Sequence, residues 1–188
     1  MNGHTRLAIA AAAGCLIGWL ANAQLVHGQA GQAAAQAQTP VSGRLSHVSF
    51  AVKDVEKTTR AFADAFGITN VAKAQDFRDI KWGPRFPGRV MNTRRMGLTI
   101  NGVSFEFLQP LDGDSPWKEF IKESGDGVHH IGFSVPDVAK GREYLESKGG
   151  VQTQEFSAAA NYIDMHKAGL PITFELTALP PAPAAPPK

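Results

Sequence analysis

Two histidines and two glutamates stand at matched points of a duplicated pattern. The stretch His47-Val48-Ser49-Phe50-Ala51-Val52-Lys53-Asp54-Val55 returns as His130-Ile131-Gly132-Phe133-Ser134-Val135-Pro136-Asp137-Val138, with His, Phe, Val, Asp and Val at equal intervals. Further along, Val103-Ser104-Phe105-Glu106-Phe107-Leu108 aligns with Ile172-Thr173-Phe174-Glu175-Leu176-Thr177. Successive side chains of a strand point to opposite faces. Val48, Phe50 and Val52 therefore share an apolar packing face, and His47, Ser49 and Ala51 take the other. The same alternation sends Ile131, Phe133 and Val135 to the packing face, with His129 among them, and leaves His130 as the partner of His47. Glu106 falls opposite Phe105 and Phe107, and Glu175 falls beside Thr173 and Thr177.

Two imidazoles and two carboxylates from four strands can enclose one divalent cation. The mixed nitrogen and oxygen set suits Zn, Co, Ni, Mn or Fe(II), and without a thiolate it disfavours a soft metal. An inward carboxylate needs a partner, because burying an unpaired charge is expensive. A buried His/Glu ion-pair cluster without metal satisfies the same demand, so both readings stand.

The elements that must position these residues follow from local signals. Each copy reads as an alternating strand followed at Asp54 or Asp137 by a helix, since aspartate accepts a hydrogen bond from free amides at a helix start. The first module predicts strands over 45–52, near 70–76, 94–100 and 102–109, and a helix over 54–66 with Val55, Thr59, Phe62 and Phe66 on one face. Asn101-Gly102 marks a tight hairpin between the last two strands. Ser115-Pro116-Trp117 starts a linking helix to about Glu123, with serine as cap and proline in the first turn. The second module predicts a strand over 128–135, a helix over 137–148 and strands near 151–156, 161–166 and 171–177. The fold class is α+β, built of two βαβββ modules.

These residues resemble the vicinal-oxygen-chelate superfamily, which includes glyoxalase I, extradiol dioxygenases and methylmalonyl-CoA epimerase. The resemblance covers about Arg44 to Thr177 and is carried by Leu45-Ser46-His47-Val48, Phe105-Glu106-Phe107-Leu108-Gln109-Pro110-Leu111, Asp114-Ser115-Pro116 and Gly125-Asp126-Gly127-Val128-His129-His130-Ile131. It is nearest to the methylmalonyl-CoA epimerase branch. It implies that the two modules form a cupped mixed sheet around a metal held by His47, Glu106, His130 and Glu175, and an isomerase of the epimerase type that stabilises an enolate of a small anionic carbonyl acid or thioester, with Glu106 or Glu175 as base. A glyoxalase I-like lyase and a non-catalytic small-molecule-binding protein are the alternatives on the same fold. The resemblance also allows a homodimer. Departures fall before the last strand, where the chain has Ser157-Ala158-Ala159-Ala160 and His166-Lys167-Ala168-Gly169.

The rest of the chain frames this domain. With 188 residues, 43% hydrophobic and a net charge of +2, the composition requires no nucleic-acid partner. Residues 1–30 read as a signal peptide, with Arg6, an apolar run from Leu7 to Leu20, and small-residue cleavage patterns at Ala21-Asn22-Ala23 or Gly28-Gln29-Ala30. The expected location is exported, periplasmic or secreted, with membrane contact only through an uncleaved leader. Cys15 is the sole cysteine, so a cleaved chain has no thiol ligand or nucleophile. Residues 31–43 read as a flexible linker, 44–179 as the folded domain with modules 44–110 and 128–178, and 180–188 as a Pro/Ala-rich tail. Finally, Lys73, Arg78, Lys81, Arg85, Arg89, Arg94 and Arg95 cluster against Asp76 and Asp79 alone. With Trp82 and Phe86 they form either a solvated basic loop or a lid in which Arg78, Lys81, Arg85 and Arg89 attract an anionic substrate.

Overall fold

The computed structural model describes residues 38–81, 83, 90–157 and 160–179. The leader, most of the linker, the tail, Trp82, Arg85, Phe86 and Arg89 lie outside the described residues. From Thr39 onward the chain belongs to one unit. Its elements run β1 (Arg44–Ala51), α1 (Val55–Ala65), β2 (Gln75–Lys81), β3 (Val90–Ile100), β4 (Val103–Gly113), α2 (Pro116–Ser124), β5 (Gly127–Val135), α3 (Val138–Ser147), β6 (Val151–Ser157), β7 (Ala160–Asp164) and β8 (Thr173–Ala178).

The capping signals act as expected. Asp54 Oδ1 accepts from the Lys57 amide at 2.9 Å, Asp137 Oδ1 from Lys140 at 3.0 Å and Ser115 Oγ from Lys118 at 3.1 Å. Each satisfies an amide that a helix start leaves free. Asn101 and Gly102 both have positive φ, at 50° and 82°, so the two-residue turn twists with the strands that it joins.

Among the described residues, eight strands form one sheet in the order β2-β3-β4-β1-β5-β8-β7-β6. β1 pairs in parallel with β4, and β5 with β8, while the two modules join through the antiparallel pair β1–β5. The halves are thus related by an approximate two-fold axis through that central pair. The superfamily's cupped α+β architecture is present with both βαβββ units complete.

Three apolar clusters hold it. Val52, Val55, Ala63, Leu98 and Phe107 pack α1 onto the first module, and Val135, Leu145, Ile163 and Leu176 pack α3 onto the second. On the opposite face Trp117 of α2 joins Ala51, Met91 and Leu108 of the first module to Tyr162 of the second. The linking helix therefore fills part of the cup and ties its halves together.

Three expectations need correcting. The second strand of the first module lies at Gln75–Lys81 rather than near 70–76, so Arg78 and Lys81 belong to a strand and not to a loop. Phe66 is 55% exposed because α1 ends at Ala65 and the next residue turns away as its cap. The reading of 31–43 as flexible also runs too far: Val41 packs against the α3 cluster, and the Thr39 amide donates to Ser42 Oγ at 2.8 Å.

Candidate metal centre

The four predicted residues converge where β1 and β5 cross between β4 and β8. Register explains how. Across β1–β4, Ser49 stands beside Glu106; at the symmetry-related place in β5–β8, Gly132 stands beside Glu175. Across β1–β5, His47 faces Gly132 and Ser49 faces His130. Gly132 is needed there, because a Cβ would run into the His47 ring and Ser46 Oγ.

The β1–β5 ladder slips by one residue at two places, leaving Ser46 extra on β1 and His129 extra on β5. Such bulges break strict alternation and re-aim side chains. Each extra residue lies immediately before a candidate ligand and reaches its ring: Ser46 Oγ and His47 Nδ1 share a hydrogen bond at 2.9 Å, as do His129 Nδ1 and His130 Nδ1. The placement of His129 on the packing face under α3 is thereby overturned. It lies instead on the α2 side, edge-on to Phe120 at 5.4 Å and near Tyr162 at 5.6 Å. His130, by contrast, turns its ring toward His47.

With both Nδ1 atoms engaged, the Nε2 atoms of His47 and His130 meet 3.0 Å apart. Glu175 Oε2 lies 3.0 Å from the first and 3.1 Å from the second, and Glu106 Oε2 lies 3.9 Å from each. His47, His130 and Glu106 each place a donor atom within 4.8 Å of the other two, a spacing that one divalent cation can bridge, and Glu175 Oε2 stands against both imidazoles. The hydrogen bonds to Nδ1 are of the kind that fix ring orientation in metal sites.

The two glutamates differ. Glu175 is 13% exposed; burial raises its carboxyl pKa, but hydrogen bonds and charge from His130 and His47 outweigh this and lower it to about 2. Burial likewise opposes protonation of His47, yet Glu175, aided by the charge of Glu106, carries its pKa above the ordinary value against a smaller effect of Arg95. Glu106 is anchored from outside the imidazole pair: Ser49 Oγ donates to its Oε2 at 3.0 Å and Arg95 to its Oε1 at 3.3 Å. A serine in one module and a glycine in the other thus break the symmetry of the centre. His129 is held neutral, its pKa lowered to about 3 first by burial and then by His130, with Glu175 pulling the other way. Burial, then the charges of Glu175 and Glu106, push the Tyr162 hydroxyl well up, with a partial offset from Trp117.

Sequence reasoning put Ser49 on the face of His47 but did not find Arg95, Lys73 or Tyr162 as neighbours of the centre. Cross-strand register supplies the signal in retrospect. Gly97 stands opposite Glu106, and Arg95 is two residues back on that face of β3. Tyr162 pairs with Glu175 across β7–β8. Arg78 pairs instead with Asp76 and Asp112 at 3.5 and 3.1 Å, Lys81 is exposed, and neither lines the cavities beside Glu106.

Residues 46–166 match the family profile of the Glyoxalase/Bleomycin resistance protein/Dioxygenase superfamily. The chain belongs to that superfamily. Within it, an ethylmalonyl-CoA/methylmalonyl-CoA epimerase of Cereibacter sphaeroides is 30% identical over 108 residues, covering 57% of this chain and 72% of the relative. The mitochondrial methylmalonyl-CoA epimerase of Mus musculus is 27% identical over 107 residues, covering 56% of this chain, which spans only 53% of that enzyme. The crystal structure of methylmalonyl-CoA epimerase from Mycobacterium tuberculosis superposes with a TM-score of 0.54 at 21% identity, over 78% of this chain and 93% of its own, and so supports the superfamily fold.

Proposed function

We propose that this protein is a divalent-metal-dependent isomerase of the epimerase type, acting on the carbon beside the carbonyl of a small anionic acid or thioester. The observation that carries the reading is the convergence of His47, His130, Glu175 and Glu106, with Glu106 itself held by Ser49 and Arg95. Kinship with epimerases supports it.

His47, Glu106, His130 and Glu175 would hold the ion, whose chemistry is Lewis-acid stabilisation of a developing enolate. Glu106 is the proton carrier of this scheme. Its Oε1 accepts from Arg95, and Glu106 borders both cavities of the cup, where a substrate carbon can approach. Ser49 fixes the other oxygen, and positioning of this kind is what general base catalysis requires. Glu175, with its low pKa and two imidazole contacts, is a poor base and a good anchor. Arg95, close to Glu106, would also steady the substrate carboxylate.

The test is proton exchange. Metal-loaded protein is mixed with a 2-methylmalonyl thioester in heavy water and the hydrogen on carbon 2 is followed by NMR. Exchange above the metal-only blank supports the reading; tight binding without exchange would overturn it in favour of a binding protein.

A further inference from the structure

Two cavities meet at Arg95, Glu106 and Glu175, and their walls differ in chemistry. The outer one, about 480 Å³, is bordered by Ser46, Lys73, Gln75 and Ser104 beside His47. The inner one, about 230 Å³, is walled by Phe77, Ile80, Leu108, Trp117, Phe156 and Tyr162. Its walls thus come from β2, β4, α2, β6 and β7, drawing on both modules and the link between them. They are braced: the Arg95 guanidinium lies 4.5 Å over the Phe77 ring, Phe156 meets Tyr162 edge-on at 5.0 Å, and Trp117 is only 3% exposed.

An apolar cavity of about 150 Å³ accepts a benzene molecule. The inner chamber is larger than that, and four of its six named walls are aromatic rings, which favour offset or edge contact with another ring. A methyl group would leave most of this surface without a partner, whereas a phenyl-sized group would cover it. The polar end of such a ligand has its own place: Lys73 and Arg95 offer positive charge on the outer side of the glutamates. A carbon held at Glu106 can therefore send one arm into each cavity.

Resting on the carbonyl-acid reading of the centre, we infer that the ligand carries a phenyl-sized substituent on carbon 2, seated in the inner chamber, with its carboxylate toward Arg95 and Lys73. The substrate class is the 2-aryl carbonyl acids and their thioesters, in preference to the 2-methyl compounds.

Isothermal titration of the metal-loaded full chain with phenylmalonate and with methylmalonate tests this directly. Phenylmalonate is expected to bind at least about tenfold more tightly, since each added methylene in an apolar pocket is worth about tenfold or more. Ile80→Trp, which fills the chamber from its partly exposed wall, should bring the two affinities together, with circular dichroism confirming the fold. Equal affinities in the wild type, tighter binding of methylmalonate, or binding of neither overturns the inference without need of the variant. Proton exchange is scored separately. Phenylmalonate preference without exchange of any thioester defeats the isomerase and leaves this assignment standing; exchange with a methyl preference does the reverse.

Discussion

Gly132 stands directly across the central strand pair from His47, and the imidazole occupies the space that any side chain at 132 would need. Gly132→Ala should therefore displace His47 and lower metal content at least about tenfold, the range seen when orienting contacts of metal ligands are lost. Metal analysis after gel filtration, with far-UV circular dichroism, measures it. Full metal retention in a folded variant would show that the centre tolerates a shifted His47.

His130→Ala should remove most of the metal, whereas His129→Phe should weaken binding about 10–100-fold. The difference follows from geometry: His130 Nε2 faces His47 and Glu175, but His129 meets the centre through His130 Nδ1. Competition with a chromogenic chelator gives both affinities. An unchanged affinity in His129→Phe would deny the bulged histidine any orienting part.

The two glutamates should separate by readout. Glu175→Gln is expected to lose metal, because it removes the carboxylate that touches both imidazoles. Glu106→Gln should retain more metal and lose at least about a hundredfold in proton exchange, the usual contribution of a placed base. The reverse pattern would exchange their roles.

Acid stability offers a test away from the centre. Asp137, the α3 cap, has its carboxyl held below the usual 3.8, first by the Lys140 backbone amide. At acid pH the folded state therefore binds fewer protons than the unfolded chain. The contribution is present above 3.8 and is lost as pH falls through the lowered value. Asp137→Ser keeps a cap without a titrating group, so its urea midpoint should drop less than the wild type's between about pH 5 and pH 2.5. Parallel acid profiles would contradict the cap's part in them.

Phe107, fully buried in the α1 cluster, supplies the core test. Phe107→Ala should cost about 3–5 kcal/mol in urea unfolding. A loss under ~1 kcal/mol would mean that the cluster closes over the gap.

Much of this was readable in the sequence because the pattern occurs twice. Asp54, Asp137 and Ser115 sit at real helix starts, Asn101-Gly102 makes its hairpin, and His47 meets His130 beside Glu106 and Glu175. What failed did so where alternation fails. A bulge at His129 inserts one residue into a ladder and turns a side chain predicted to pack under α3 toward the site. Arg95 and Tyr162 were missed because their proximity to the glutamates depends on pairing between strands, which periodicity along one strand does not encode. The displaced β2 had a related cause: its partners lie on β3, and basic residues concealed its alternation.

The crossing of β1 and β5 also sets an order of events as the chain folds. Among the described residues, each module supplies one imidazole and one carboxylate, and their strands pair directly only through β1–β5. That pair joins residues distant in sequence, and contacts of this kind form slowly because a long loop must close first. A newly made first module would hold His47 and Glu106 with half a coordination shell. On the proposed metal reading, tight capture of an ion would wait for the second half to arrive and dock, and metal uptake would then act as a clock for the last step of assembly.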